Sequence, residues 1–581
     1  MDQHRELDTL AEVCDHWAEV VDEVVARAEL SRCSLTSCLP TRALVLDARR
    51  QLTLQRAHLK TLCITLKLGF SAPPGVHQAA STLTQAKCQS IGWEALLSLV
   101  PRLECLRVEE TELADLCTPE IVAAAAAQCP SLQKLVLPTP FYQCGIGSWH
   151  RQEPREDLLA TEIPRTLNTT IQSLEAWQTR SPHGAIGMRE LTLPLYGAHG
   201  PLPAPLLKAL LEAIIRLCPG IEVITDHDGL AKSSQQQWNI DALLWDKFCA
   251  TLSHLRRFDW LDVPFTTQFF SIFGQYPKPH LTELSLGANF NWDWTAYHEA
   301  VGAQQRSENE EQGFGPTARN AAAVLSACPA LKKLTIHIQS LGVDYRDFMD
   351  QEIFGDDFCE ALAMHCPLLE ILHIGDTRLQ KPGNTTPIMA FTDRALDALR
   401  SLPYLLSVRT KATNFTGQGL FSLLEYGQYG TTIDRAIDLY VGDTTGPTKM
   451  AFYDVLESFL TCLTQPSQKL TFLDRRIALR IRNGNDETVE RAWSKSYLTR
   501  IKALVEKFEH RRRGARLHIS TQGTDSQLTR FDVLNSFCLE TKTLQTDDTR
   551  YHVDGKVFVD RHNANTSRRI LPRMNRKGEW Y

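Results

Sequence analysis

Cys14, His16, Cys33 and Cys38 are residues of the types that hold zinc. Their spacing matches none of the short paired intervals that place four such ligands around one ion, so no metal is expected. Asp226-His227-Asp228-Gly229 has the start of a calcium loop but lacks the downstream glutamate, and reads as a turn after a strand. Gly145-Ile146-Gly147-Ser148 is too short to cradle a phosphate and carries no lysine. Neither a G-x-S-x-G nor an H-E-x-x-H pattern occurs. The chain therefore reads as a protein without catalysis, cofactor or metal, and binding chemistry comes to the front.

Binding would fall to polar residues that alternate with apolar ones in short strands. The best defined set is Lys333, Thr335 and His337, then Ile371 and His373, then Ser407, Arg409 and Lys411. In a strand the alternate residues share a face, so these would form one partly basic surface while Leu334 and Ile336 point into a core. Such a surface fits an acidic or polar protein partner. Its two histidines would make binding sensitive to pH near their ordinary value of ~6.5.

The elements that must position these residues come from a repeat. A helical run is followed by Cys-Pro and then by L-x-x-L-x-I. Cys129-Pro130 leads to Leu132, Leu135 and Leu137, Cys328-Pro329 to Leu331, Leu334 and Ile336, and Cys366-Pro367 to Leu369, Leu372 and Ile374. Cys218-Pro219, Val100-Pro101, Leu402-Pro403 and Pro279 open further copies. Weaker ones contain Leu59, Leu62 and Ile64; Met188, Leu191 and Leu193; and Leu255 with Phe258. Proline ends the helix because it lacks an N–H and clashes with the preceding turn. One helix and one strand cannot bury their own apolar faces, but stacked neighbours can. The fold expected is α/β, a solenoid with parallel strands lining a curved inner face and helices outside.

A second phrase precedes the helices. It appears as Phe391-Thr392-Asp393-Arg394-Ala395-Leu396, as Asn414-Phe415-Thr416-Gly417-Gln418-Gly419-Leu420, and as Phe354-Gly355-Asp356-Asp357-Phe358. The threonine or aspartate there would cap the helix by accepting a backbone N–H. Together the two phrases resemble the cysteine-containing leucine-rich-repeat family, over roughly Arg56 to Val441. The irregular spacing resembles divergent fungal F-box proteins that carry such repeats. That resemblance implies an alternative role as a substrate receptor of a ubiquitin ligase, joined to a cullin through a Skp-type adaptor. An F-box opens with Leu-Pro and closes near Cys-x-x-Trp. Only Cys14-Asp15-His16-Trp17 fits the closing part, residues 2–13 are too few for the rest, and Leu39-Pro40 follows instead of preceding. The leading expectation is therefore a protein-binding scaffold. An accessory protein or enzyme of a biosynthetic pathway is the third.

The chain has 581 residues and a formal net charge of −6, which provides no general basic field for nucleic acid. Residues 1–55 read as a helical cap and 56–442 as repeats with inserts at about 139–185, 287–320 and 339–353. Residues 443–560 read as a small α+β cap or extra domain, and 561–581 as a basic tail. The start of the chain is charged and unlike a signal peptide, and no apolar run is long enough for a bilayer. The sixteen cysteines are scattered, so they should stay reduced in the cytoplasm or nucleus.

Overall fold

A computed structural model describes residues 31–37, 42–66, 91–109, 114–137, 156–180, 187–193, 204–226, 240–260, 263, 267–288, 318–338, 353–374, 388–425, 435–441, 451–465, 477–483, 503–504, 516–522, 528–534 and 536–542. The chain divides into two compact units. The first comprises Met1–Thr377, Asn384–Ala390 and Leu402–Leu405; the second comprises Arg378–Gly383, Phe391–Ser401 and Leu406–Tyr581.

The first unit alternates strand and helix. In order they are β1 (Arg32–Ser37), α1 (Arg42–Gln55), β2 (Thr61–Leu66), α2 (Trp93–Leu97), β3 (Cys105–Glu109), α3 (Ala114–Gln128), β4 (Lys134–Val136), α4 (Glu156–Arg180), β5 (Glu190–Leu193) and α5 (Ala204–Leu217). There follow β6 (Val223–Asp226), α6 (Ala242–Thr251), β7 (Arg257–Trp260), α7 (Thr267–Gln275), β8 (Glu283–Ala288), α8 (Ala318–Ser326), β9 (Lys333–Ile338), α9 (Asp356–His365) and β10 (Ile371–Ile374). Each strand pairs in parallel with the next in the chain, from β1 to β10. Successive helices pack on one another from α2 to α9. This is the α/β alternation of parallel strands and helices that the repeat predicts.

The apolar positions of the repeat line up across the sheet. Leu62, Leu106, Leu135, Leu191, Ile224, Phe258, Leu284, Leu334 and Leu372 face one another in register, and all are buried. Around β7 the core turns aromatic: the Trp245 ring stacks on Phe248 and Phe269, and Phe258 lies between Trp260 and Phe273. The indole N–H of Trp245 donates to the carbonyl of Phe269 at 3.2 Å.

The same helix-to-strand turn recurs in most copies. The carbonyl at the cysteine position accepts the N–H of the apolar residue three places on, in the pairs Val100–Leu103, Cys129–Leu132, Cys218–Ile221, Leu252–Leu255, Cys328–Leu331 and Cys366–Leu369. The thiol does further work. Cys129 Sγ donates towards the carbonyls of Leu97 and Val100, and Cys366 Sγ towards those of Leu325 and Cys328, each contact lying between 3.6 and 3.8 Å. Both thiols thus reach the helix-end carbonyls of the preceding repeat, groups left without partners inside the helix. Burial pushes the Cys129, Cys328 and Cys366 thiols up to about 12, so they stay protonated, and those of Cys129 and Cys366 serve as donors.

One copy departs from the rule. Lys278 occupies the cysteine position before Pro279, and its carbonyl accepts from Leu281 as in the other copies. Its side chain is fully buried. Nζ donates to the carbonyls of Phe273 at 2.7 Å and Tyr276 at 2.9 Å, and lies 4.0 Å from the centre of the Phe273 ring. A cation on the C-terminal carbonyls of α7 meets the negative end of that helix. Burial lowers its pKa all the same.

Three expectations need correction. Arg32–Ser37 is a strand paired with β2, not part of a helical cap, because Cys33 and Leu35 alternate in register with Leu62 and Ile64. Much of the expected insert at 139–185 is helix α4, which packs against α3 and α5 as a repeat helix would. Its buried stripe contains Leu167, Thr170, Leu174 and Trp177, and the threonine, with Thr166 and Ser173 beside it, disguises the helical period. Finally, parallel pairing does not stop near residue 443. In the second unit, β12 (Ser407–Asn414), β13 (Arg435–Val441), β14 (Ile477–Asn483) and β15 (Arg516–Gln522) pair in parallel. Only β16 (Leu528–Leu534) and β17 (Ser536–Lys542) turn antiparallel. The long helix expected at 486–512, apart from residues 503–504, lies outside the described residues. So do the hairpin near Asp554-Gly555, the tail at 561–581, and most of the inserts at 287–320 and 339–353.

The helices of the second unit are α10 (Asp393–Arg400), α11 (Gly417–Glu425) and α12 (Ala451–Leu463), with β11 (Ile388–Thr392) leading into α10. Thr392 caps α10 by accepting the N–H of Arg394, as its place in the repeat predicts. Thr416 caps α11 by accepting the N–H of Gly419. Asp393 then grips Thr416, taking its N–H and its hydroxyl at 2.6 Å each. Gly417 is obligatory here, since a Cβ would sit 2.2 Å from the backbone nitrogen of Phe459. Gly355 starts α9 without a side-chain cap, so that copy of the phrase does not act as expected.

Replacing Cys366 with alanine should lower stability by about 1–2 kcal/mol, from lost packing and a lost donor. Lys278→Met should cost more, about 2–4 kcal/mol, because two buried carbonyls lose their partner. Urea denaturation of the two variants beside the parent checks both the values and their order.

Candidate functional site

The sheet face opposite the apolar positions carries two rows of side chains, set by the same register. Along β4 to β10 the first row reads Lys134, Glu190, Val223, Arg257, Glu283, Lys333 and Ile371. The second reads Val136, Thr192, Thr225, Asp259, Ser285, Thr335 and His373. Neighbouring strands stand ~4.8 Å apart, so each residue meets its row neighbours directly.

The first row neutralises itself in pairs. Lys134 Nζ lies 3.0 Å from Glu190, and Arg257 lies 3.5 Å from Glu283. Arg257 also approaches Asp259 at 3.8 Å, so two carboxylates share one guanidinium. Lys333 stands opposite Glu283 in register, yet no carboxylate among the described residues forms an ion pair with it. A further line of pairs runs one residue before the strands, with Lys60–Glu104 at 3.0 Å, Arg189–Glu222 at 2.6 Å and Lys332–Glu370 at 2.9 Å. These pairs are largely exposed and add little to stability.

The second row is made of hydroxyls around one carboxylate. The hydroxyls of Thr192 and Thr225 are hydrogen-bonded at 2.6 Å. Asp259 follows, its side chain only 15% exposed, held by the Ser285 hydroxyl on one side. Its Oδ1 is buried and has no hydrogen-bond partner among the described residues, and the same holds for Thr335 Oγ1 two strands away. Burial raises the Asp259 carboxyl to about 6, against the Ser285 hydrogen bond and the charges of Arg257 and Lys333, which lower it, while Glu283 adds to the rise.

Of the residues expected to bind, Lys333 meets Ile371 and Thr335 meets His373 in direct register, so these four form one patch. Thr335 is buried rather than solvent-facing. His337 lies in β9 and Lys411 in β12, but their side chains are outside the described residues. Ser407 and Arg409 belong to β12 of the second unit. Cys33 is buried in β1, and Cys14, His16 and Cys38 fall outside the described residues. Asp226 ends β6 and the rest of its motif is likewise outside. Asp259 belongs to none of the sequence motifs. Its signal was its place, the polar position between Phe258 and Trp260 in a weak copy of the repeat. No protein-family model matches the chain, and no curated protein is significantly similar to it.

The raised carboxyl gives a stability signature. Folded Asp259 holds its proton up to about pH 6, whereas an unfolded aspartate releases it near pH ~3.9. The folded chain therefore binds more protons between those values, and stability falls as pH rises through that window. The loss amounts to about 2–3 kcal/mol above pH ~6. Asp259→Asn should escape it. Relative to the parent, the variant should gain stability between pH ~4 and pH ~6.5 and keep that gain above. Parallel denaturation curves across this range provide the check, and an identical pH response in both proteins would contradict the assignment.

Proposed function

We propose that this chain is a leucine-rich-repeat solenoid acting as a non-catalytic scaffold, and that it binds a protein partner through the sheet face opposite its helices. The observation that carries the reading is Lys333. Every other basic residue of the first row on β4 to β10 forms an ion pair with a carboxylate of the neighbouring strand, and Lys333, although opposite Glu283, forms none among the described residues. Next to it stand Ile371, half-exposed and apolar, and His373. A cation left over beside an apolar residue suits a partner that brings a carboxylate and some apolar surface. Parallel strands in constant register supply a stiff support, which lowers the ordering cost of docking.

Capture from a native extract tests the reading, with partners identified by mass spectrometry. Lys333→Glu together with His373→Glu should reduce the captured partner at least tenfold while leaving the unfolding midpoint within the range of ordinary surface substitutions. Undiminished capture would remove this face from consideration. Recovery of a Skp-type adaptor and cullin in the same experiment would shift the reading to the ubiquitin-ligase receptor implied by the family resemblance.

A further inference from the structure

Helix α1 turns apolar side chains to solvent. From Val45 to Gln55, Leu52 alone is buried among the described side chains. Leu46 and Leu54 are 55% and 77% exposed. With Arg50 between them they recur at every fourth place, so the three run along one side of the helix, ~6 Å from one to the next. At ~100° per residue, that side lies away from Leu52. Arg49 and Thr53 flank it and are exposed as well.

The same part of the molecule holds arginines without carboxylates. Arg49, Arg50, Arg56 and Arg102 are all exposed, and none forms an ion pair among the described residues. Asp47, the one acidic residue of α1, pairs with none of them. Arg102 lies on the turn that neighbours the one carrying Arg56 and His58. His58 and Arg102 hold the same position on the two turns, each two residues before a member of the Lys60–Glu104 pair, which closes at 3.0 Å. The whole chain carries a formal charge of −6, so this surface reverses the prevailing sign.

We propose that the outer side of α1, together with the turns at Arg56 and Arg102, docks on an anionic lipid surface. Leu46 and Leu54 enter the boundary between headgroups and acyl chains, while Arg49 and Arg50 meet lipid phosphates beside them. Arg56 and Arg102 add attraction from the adjoining turns. The contact is with the surface of one leaflet; no described helix is long and apolar enough to cross a membrane.

The interleaving of leucine and arginine decides between anionic partners. A leaflet offers phosphates and apolar chains close together over its whole area. A nucleic acid offers the phosphates, but its charged backbone gives two protruding leucines nothing apolar to enter. A soluble acidic protein would need two apolar pockets ~12 Å apart, with carboxylates between them. The lipid contact is independent of the sheet-face reading, since α1 and its turns contribute none of the residues invoked there.

Sedimentation of the full-length chain with vesicles provides the test. Vesicles of phosphatidylcholine with about 30% phosphatidylserine should bind it at least tenfold more tightly than vesicles of phosphatidylcholine alone. Raising the salt from about 0.1 M to about 0.5 M should weaken that binding several-fold. Arg49→Glu together with Arg50→Glu should weaken it at least tenfold. Leu46→Gln together with Leu54→Gln keeps every charge and should still weaken it several-fold. All four positions are exposed, and glutamate and glutamine favour helix, so both double variants should keep an unfolding midpoint within the range of ordinary surface substitutions. A parent chain that does not prefer the phosphatidylserine vesicles overturns the proposal. So does full binding by the arginine variant. Equal binding by the leucine variant and the parent also overturns it, and would assign the arginines to a soluble polyanion instead.

Discussion

The fold depends on one turn. At the end of most repeat helices, a carbonyl accepts the N–H of the apolar residue three places on, usually with a proline between them that stops the helix. That single bond sets where the strand begins. Because it recurs at the same place in most copies, their strands start level with one another. The register across the sheet follows from it. Where the residue is cysteine, Cys129 and Cys366 tie the turn to the carbonyls of the preceding repeat. Asp393 with Thr416 makes a comparable tie at the opposite helix end in the second unit. Inter-repeat contacts of this kind are what stabilise stacked units, none of which buries enough surface alone.

What could be read in advance divides along physical lines. Proline and the leucine pattern act locally, so the copies headed by Cys129, Cys328 and Cys366 were legible with their strands and turns. Thr392 as a cap was legible for the same reason. Helix α4 was not, because its buried stripe runs through Thr166, Thr170 and Ser173, whose hydroxyls bond back to their own helix or hide their small volume in the core. β1 was missed because Cys33 and Leu35 are too few to display a period until β2 is beside them. Lys278 was not legible, because its burial depends on contacts with α7 that no local pattern announces.

The sheet face opposite the apolar positions divides in the same way. Lys333, Thr335, Ile371 and His373 stand together in register because each repeat follows the pattern of the one before. Their unlike roles were not apparent. Thr335 is buried, and Lys333 is exceptional only because Glu283 turns towards Arg257 instead. The charge left over on a face is a property of how neighbours share partners across strands. It cannot be read from the strand that carries it.

The interval between β4 and β5 has a consequence for how such a chain can change. Lys134 and Glu190 are register partners although far apart in sequence, whereas Cys105 and Lys134 are partners at a much shorter distance. The extra length between β4 and β5 leaves the ladder undisturbed. Loop-closure entropy rises only logarithmically, about 0.6 kcal/mol for each doubling of length. Segments joining helix and strand can thus grow or shrink at slight thermodynamic cost while the ordering of the ladder is preserved. An architecture with this property can be lengthened at its joints over evolutionary time, and the exposed face of the ladder can persist while the surroundings are rebuilt.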